Sequence, residues 1–168
     1  YFLVELITAL LWLTLFTSFG FTSKFLLTGI LASALIAATF IDFEFQIIPD
    51  IITISGIAAG LVAAFLFPSF LGEPTRHAAL LDSFFGVIAG GGSTYLIGVL
   101  GKMAFKKDAM GGGDVKLMAM IGAFLGWKFA LLVFFIAPFF GAFVGMILKI
   151  RYKIEVIPGD GPGPEVVN

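Results

Sequence analysis

Apolar runs follow one another with little interruption from Phe2 to Ile150, and the few charges gather in the short stretches between them. That pattern constrains the fold more than any other feature. About 20 apolar residues in a helix cross the ~30 Å hydrocarbon core of a bilayer. A helix also bonds all its backbone groups within the segment, as lipid requires. The expected fold class is therefore all-α, a polytopic membrane helix bundle of about six helical segments. Reading apolar runs between breakers places them near 2–19, 25–41, 51–67, 79–103, 115–126 and 129–149. The fifth is short: at 1.5 Å per residue it reaches only about 18 Å. It is expected to continue through Trp127, to sit in a thinned region, or to line a wet cavity.

Composition supports this class and excludes others. Residues are 60% hydrophobic and 12% charged, with a mean hydropathy of +1.09, whereas a soluble domain carries about 25% charge. A net charge of −1 leaves no electrostatic footprint for nucleic acid. The absence of cysteine removes disulfides, thiol nucleophiles and Cys-ligated zinc, and a single histidine, His77, argues against a His-based metal site. Neither a metal nor a cofactor is expected, and the partner implied is the lipid bilayer. One bundle over residues 1–151 is the natural domain, followed by a tail over 152–168 whose origin the bundle does not account for. The chain opens at Tyr1 directly before an apolar run, without a recognisable signal peptide, and reads as a piece of something longer. Nothing in it indicates an oligomeric state.

Lysine and arginine placement orients the spans. With alternating crossings, Lys102, Lys106, Lys107, Lys116, Lys149, Arg151 and Lys153 fall on one side, and Lys24, Arg76 and Lys128 on the other. The richer side is assigned to the cytoplasm. It also receives the loops at 42–50 and 104–114, and with them Asp42 and Asp114.

Many glycines have a packing explanation. Gly56/Gly60, Gly86/Gly90, Gly122/Gly126 and Gly141/Gly145 each repeat at four residues, the spacing that lets helices approach closely in lipid. Gly90-Gly91-Gly92 reads as a close crossing or slight kink. Gly111-Gly112-Gly113-Asp114 differs, because three successive glycines disfavour a helix and suggest a tight or flexible loop. Asp114 would then cap or open the helix that follows. Taken alone it is as readily a cap as a functional acid.

Asp42 is harder to explain locally. It ends the second apolar run, where a carboxylate opposes the helix macrodipole, and an acid beside a bilayer is functional by default. Asp50, after Pro49, makes an ordinary helix start, and Glu44 reads as solvated. Lys116 could tune the charge of Asp114 or meet a lipid phosphate. Trp12 and Trp127 read as packing or interfacial anchors. Asp42 and Asp114, brought together, would suit acid–base activation of a water molecule.

Ile41-Asp42, the following Ile48-Pro49-Asp50, and Met110-Gly-Gly-Gly-Asp-Val-Lys-Leu117 resemble the motifs of type IV prepilin peptidases, membrane aspartic peptidases of the Gly-x-Gly-Asp group. The resemblance runs from Tyr1 to about Arg151. It implies that Asp42 and Asp114 are the catalytic pair, with Gly111, Gly112, Gly113, Lys116 and Asp50 supporting the site or the substrate. The implied reaction is leader-peptide cleavage of type IV prepilins or pseudopilins at the cytoplasmic face of the inner membrane, as in type IV pilus and type II secretion systems. The partner is then the substrate's apolar helix, lying in the bilayer.

Two features depart from that pattern: the sequence begins after the region of the family's upstream cytoplasmic domain with its Cys-x-x-Cys pairs, and it closes with Lys153-Ile-Glu-Val-Ile-Pro-Gly-Asp-Gly-Pro-Gly-Pro-Glu-Val-Val167. This tail resembles the opening strand and loop of isopropylmalate and isocitrate dehydrogenases, and no activity is assigned to it. The alternatives are an intramembrane protease of the same chemical group and, more remotely, a small proton or cation transporter.

Overall fold

The computed structural model of the protein describes residues 2–105 and 111–155, and among these it contains helices and no strand. The helices are α1 (Phe2–Phe19), α2 (Ser23–Phe45), α3 (Asp50–Leu66), α4 (Pro68–Leu71), α5 (Arg76–Phe105) and α6 (Gly112–Glu155). Four of them, α1, α2, α5 and α6, are long and apolar enough to cross a membrane, and α3 is a shorter apolar helix of 17 residues. The protein is an all-α, multi-pass membrane protein. Its backbone divides at Phe134/Phe135 into two units, the second being the continuation of α6. That second unit, by itself, is an exposed apolar helix with Pro138 inside it. Lys106, Lys107 and residues 156–168 of the tail lie outside the described residues.

Outward faces carry large apolar side chains such as Phe2, Leu13, Ile54 and Leu96, the arrangement expected where the surrounding solvent is lipid. Inside the first unit the core is small, with Leu31, Met120 and Phe124 buried at its centre. Buried hydroxyls are satisfied: Ser83 donates from Oγ to the Ala123 carbonyl at 2.6 Å, and Thr94 to the Gly90 carbonyl at 2.9 Å.

Local chemistry sets the helix ends. Thr22 caps α2, accepting from the Phe25 amide at 3.3 Å, and so starts the helix ahead of residue 25. Against α2, α1 docks through aromatics. Trp12 covers Gly29, meets the Phe25 ring edge-on at 5.1 Å, and donates from Nε1 to Ser33 Oγ at 3.0 Å. Trp12 is thus a packing residue. Beyond α3, the one-turn α4, which the apolar pattern does not reveal, closes on Gly72 in the left-handed conformation. Arg76 at the start of α5 stacks on Phe65 near the end of α3, 5.7 Å from the ring centroid.

The first half of α6 is the central element. Residues 119–124 are all buried, which is how a stretch too short to span by itself is accommodated. Its helix then breaks at Gly126 (φ 76°, ψ 172°) and resumes toward Phe134, so the fifth and sixth expected segments are two parts of one interrupted helix. A side chain at Gly126 would be strained by that φ and would also strike the Asp82 carboxylate.

Three of the four-residue glycine pairs serve close packing. Gly86 and Gly122 face each other backbone to backbone, a Cβ on either colliding with the carbonyl of the other. Gly90 abuts the Met118 carbonyl, and Gly91 lies where a Cβ would be 3.1 Å from that of Ala119, so the triple glycine marks a close crossing of α5 and α6. Gly56 and Gly60 receive Met120 and Ala123. Gly141 and Gly145 differ: a Cβ at either would meet no atom within 4 Å, so packing does not account for this pair among the described residues.

Candidate functional site

Asp42 lies in the last turn of α2, one turn further inside the helix than the apolar run indicates. The helix reaches Phe45 because Gln46 turns left-handed (φ 53°, ψ 36°) and its amide donates to the Asp42 carbonyl at 2.8 Å. Ile47 and Ile48 then lead to Pro49, whose carbonyl accepts from the Ile52 and Thr53 amides at 3.1 and 3.3 Å. Pro49 is therefore the cap and Asp50 the first helical residue of α3. Proline serves as the cap because it lacks only the N–H, and its carbonyl accepts as any other would.

The glycine run requires a correction. Instead of a loop up to Asp114, the helix begins inside the run, at Gly112, and the Asp114 amide donates to the Gly111 carbonyl at 3.2 Å. Gly113 can sit in this first turn because Ile48 comes against it, 2.9 Å from where a Cβ would lie. The glycine admits the 46–49 loop to the start of α6. That contact brings the end of α2 to Asp114.

Asp42 and Asp114 both line a cavity of about 350 Å³, together with Thr39, Gln46, Ile48 and Leu117. They also border an adjoining cavity of about 380 Å³, which Asp50, Gly111, Gly112, Gly113 and Lys116 complete. All seven residues singled out from the sequence thus meet around one opening. Both acids sit at helix termini of opposite sign. Asp114 is in the first turn of α6, where the dipole favours an anion, and Asp42 is in the last turn of α2, where it opposes one. Asp42 is exposed and Asp114 half-buried.

Lys116 turns to Asp50. Its ammonium lies 2.7 Å from both oxygens of Asp50, tying the start of α3 to the start of α6. The pair is 40% and 59% exposed, so it orients the two helix ends more than it stabilises them; an exposed bridge contributes about 0.2–1 kcal/mol. Gln46 and Thr39 are among the lining residues that the sequence reading passes over. An uncharged polar residue four positions after Asp42 was the available signal for Gln46, but only its left-handed backbone sets it apart. Among the described residues no group of three or more His, Asp or Glu is placed to hold a metal ion. Away from the carboxylates, an apolar groove of about 570 Å³ runs between α2 and α3, floored by Leu31, Met120 and Phe124.

Fold and opening together define a multi-pass helical membrane protein with two acidic residues, Asp42 and Asp114, at one opening. Residues 29–146 match the model of the type IV leader peptidase family, and the chain belongs to that family. The chain is 35% identical to a prepilin leader peptidase/N-methyltransferase of Myxococcus xanthus, over 87% of this chain and 41% of that protein. It is 36% identical to the protein of that name from Pseudomonas aeruginosa, over 87% of this chain and 48% of the relative. A third relative so named, from Aeromonas hydrophila, is 36% identical over 93% of this chain and 52% of its own length. The chain thus spans about half, or less, of the length of these relatives. No solved structure matches it.

Proposed function

We propose that this chain is the membrane part of an aspartic endopeptidase that removes the leader of type IV prepilins or pseudopilins, with Asp42 and Asp114 as its catalytic pair. The observation that carries the reading is that Asp42 and Asp114 line the same opening, in a chain of the leader peptidase family. Lysine and arginine asymmetry supports an opening toward the cytoplasm, which puts the reaction at the cytoplasmic face of the inner membrane. The substrate's apolar helix stays in the bilayer while the junction with its leader reaches the two acids.

The chemistry needs one carboxylate ionised and one protonated. The ionised member takes a proton from water as the water oxygen attacks the scissile carbonyl carbon. The protonated member gives its proton to the carbonyl oxygen, forming a neutral tetrahedral diol. Collapse breaks the C–N bond, the amine leaving with the proton held by the general base. A hydroxyl proton returns to the other carboxylate as the new acid group forms. Asp50 and Lys116 hold the starts of α3 and α6 in register, and Gly113 admits the 46–49 loop to the start of α6.

The test is cleavage of a prepilin by the protein reconstituted in liposomes, with the cut position read by mass spectrometry. Wild type should cut once, between leader and apolar helix, and Asp42→Asn and Asp114→Asn should insert normally and cut at least ~100-fold more slowly. Full activity in either variant, or a cut inside the apolar helix, would overturn the assignment.

A further inference from the structure

Gln46 is the only non-glycine residue with positive φ among the described residues. It occupies the residue position after a helix where glycine is usual and asparagine next, because other L side chains pay a steric cost in the left-handed region. Glutamine is not there for the capping. The cap is made by its main-chain N–H on the Asp42 carbonyl, which glycine would supply as well. What glycine would not supply is a side chain, at a residue that lines both cavities at their shared border with Asp42, Ile48 and Asp114. A polypeptide crossing from one cavity to the other, past both carboxylates, passes Gln46. A residue held against its backbone preference at such a place points to a role in the site.

We propose that Gln46 is a substrate-binding residue, whose carboxamide pairs with the main chain of the substrate beside the scissile bond. A carboxamide presents an acceptor oxygen next to a donor NH₂, the complement of the C=O and N–H of an extended peptide. It grips any sequence and so suits an enzyme whose substrates share a backbone path. The left-handed turn aims this group, because the α-helical conformation would carry the chain onward along the α2 axis. This inference rests on the peptidase reading and deepens it.

The experiment measures kcat/KM on a reconstituted prepilin and, in parallel, the melting temperature of Gln46→Gly, Gln46→Ala and Gln46→Asn, with Asp42→Asn as the inactive control. Gly and Ala both remove the carboxamide, and Asn keeps one on a side chain tolerant of the left-handed region. Gln46→Gly should melt a few degrees above Gln46→Ala, since only glycine escapes the steric cost. Yet both should lose ~10- to 100-fold in kcat/KM, the scale of one or two neutral hydrogen bonds, and Gln46→Asn should cleave faster than either. A purely structural cap predicts the reverse, activity following melting temperature with Gly the most active variant. If wild type cleaves, Asp42→Asn does not, and Gln46→Gly matches wild type, the Gln46 role is overturned while the peptidase reading stands. A folded wild type that leaves prepilin uncut overturns both.

Discussion

Substituting Gly122 by alanine probes the contact that holds α6 in place. The added Cβ would collide with the Gly86 carbonyl oxygen and would lie 3.1 Å from the Val87 nitrogen. These are backbone atoms in the middle of a 30-residue helix, so no side chain can rotate out of the way. The helices must separate, and overpacking of this kind costs about 1–3 kcal/mol. Alanine's better helix propensity returns only up to ~1 kcal/mol, so the net change remains destabilising. Gly92→Ala is the matched control. It gains the same propensity in α5, and its Cβ meets no atom within 4 Å, so it should stabilise by up to ~1 kcal/mol. Asp114 lies eight residues from Gly122 along α6, about 12 Å at 1.5 Å per residue. The strain should therefore reach the site and slow prepilin cleavage in Gly122→Ala, while Gly92→Ala stays at the wild-type rate. Melting curves in one detergent, with cleavage in liposomes, read both effects. A Gly122→Ala protein that melts with or above Gly92→Ala would refute the backbone-to-backbone crossing.

Gly126→Ala should cost about 1–3 kcal/mol, because the new side chain is forced into the left-handed half of the map and onto Asp82; melting temperature measures it. The Lys116–Asp50 bridge is half-exposed, so a double-mutant cycle of Asp50→Ala and Lys116→Ala should give a coupling of about 0.2–1 kcal/mol, shrinking with added salt. In the same cycle either single variant should retain cleavage, which separates Asp50 from Asp42. Ile48→Ala withdraws the side chain that sits over Gly113; it should lower cleavage while leaving the melting temperature within about 2 °C, since Ile48 is only half-buried.

The spans were legible because lipid leaves a helix no alternative, and even the interruption near residue 126 shows in the sequence as a gap between apolar runs. Charge asymmetry alone put Asp42 and Asp114 on one side of the bilayer, which permits their meeting without requiring it. Helix ends were less legible. α2 gains its last turn from the backbone of Gln46, and α6 gains its first from glycines that intrinsic preference disfavours, tolerated because Ile48 packs there. The partner of Lys116 was illegible for a related reason. Helices that are apolar all round present no distinct face, so the sequence does not say which starts lie side by side. Gly141 and Gly145 give the converse lesson, a spacing that suggests packing without a neighbour to receive it.

The central claim is that Asp42 and Asp114 act as one unit on one peptide bond. It is tested most directly by kcat/KM for prepilin cleavage in Asp42→Asn, Asp114→Asn and the double variant, all confirmed as inserted and folded. Groups that act together are not additive, so the account predicts that each single loss brings the rate to the same floor, roughly 10²–10⁴ below wild type, with the double variant no lower. A single variant keeping more than about a tenth of wild-type activity, or losses that multiply in the double variant, would contradict it.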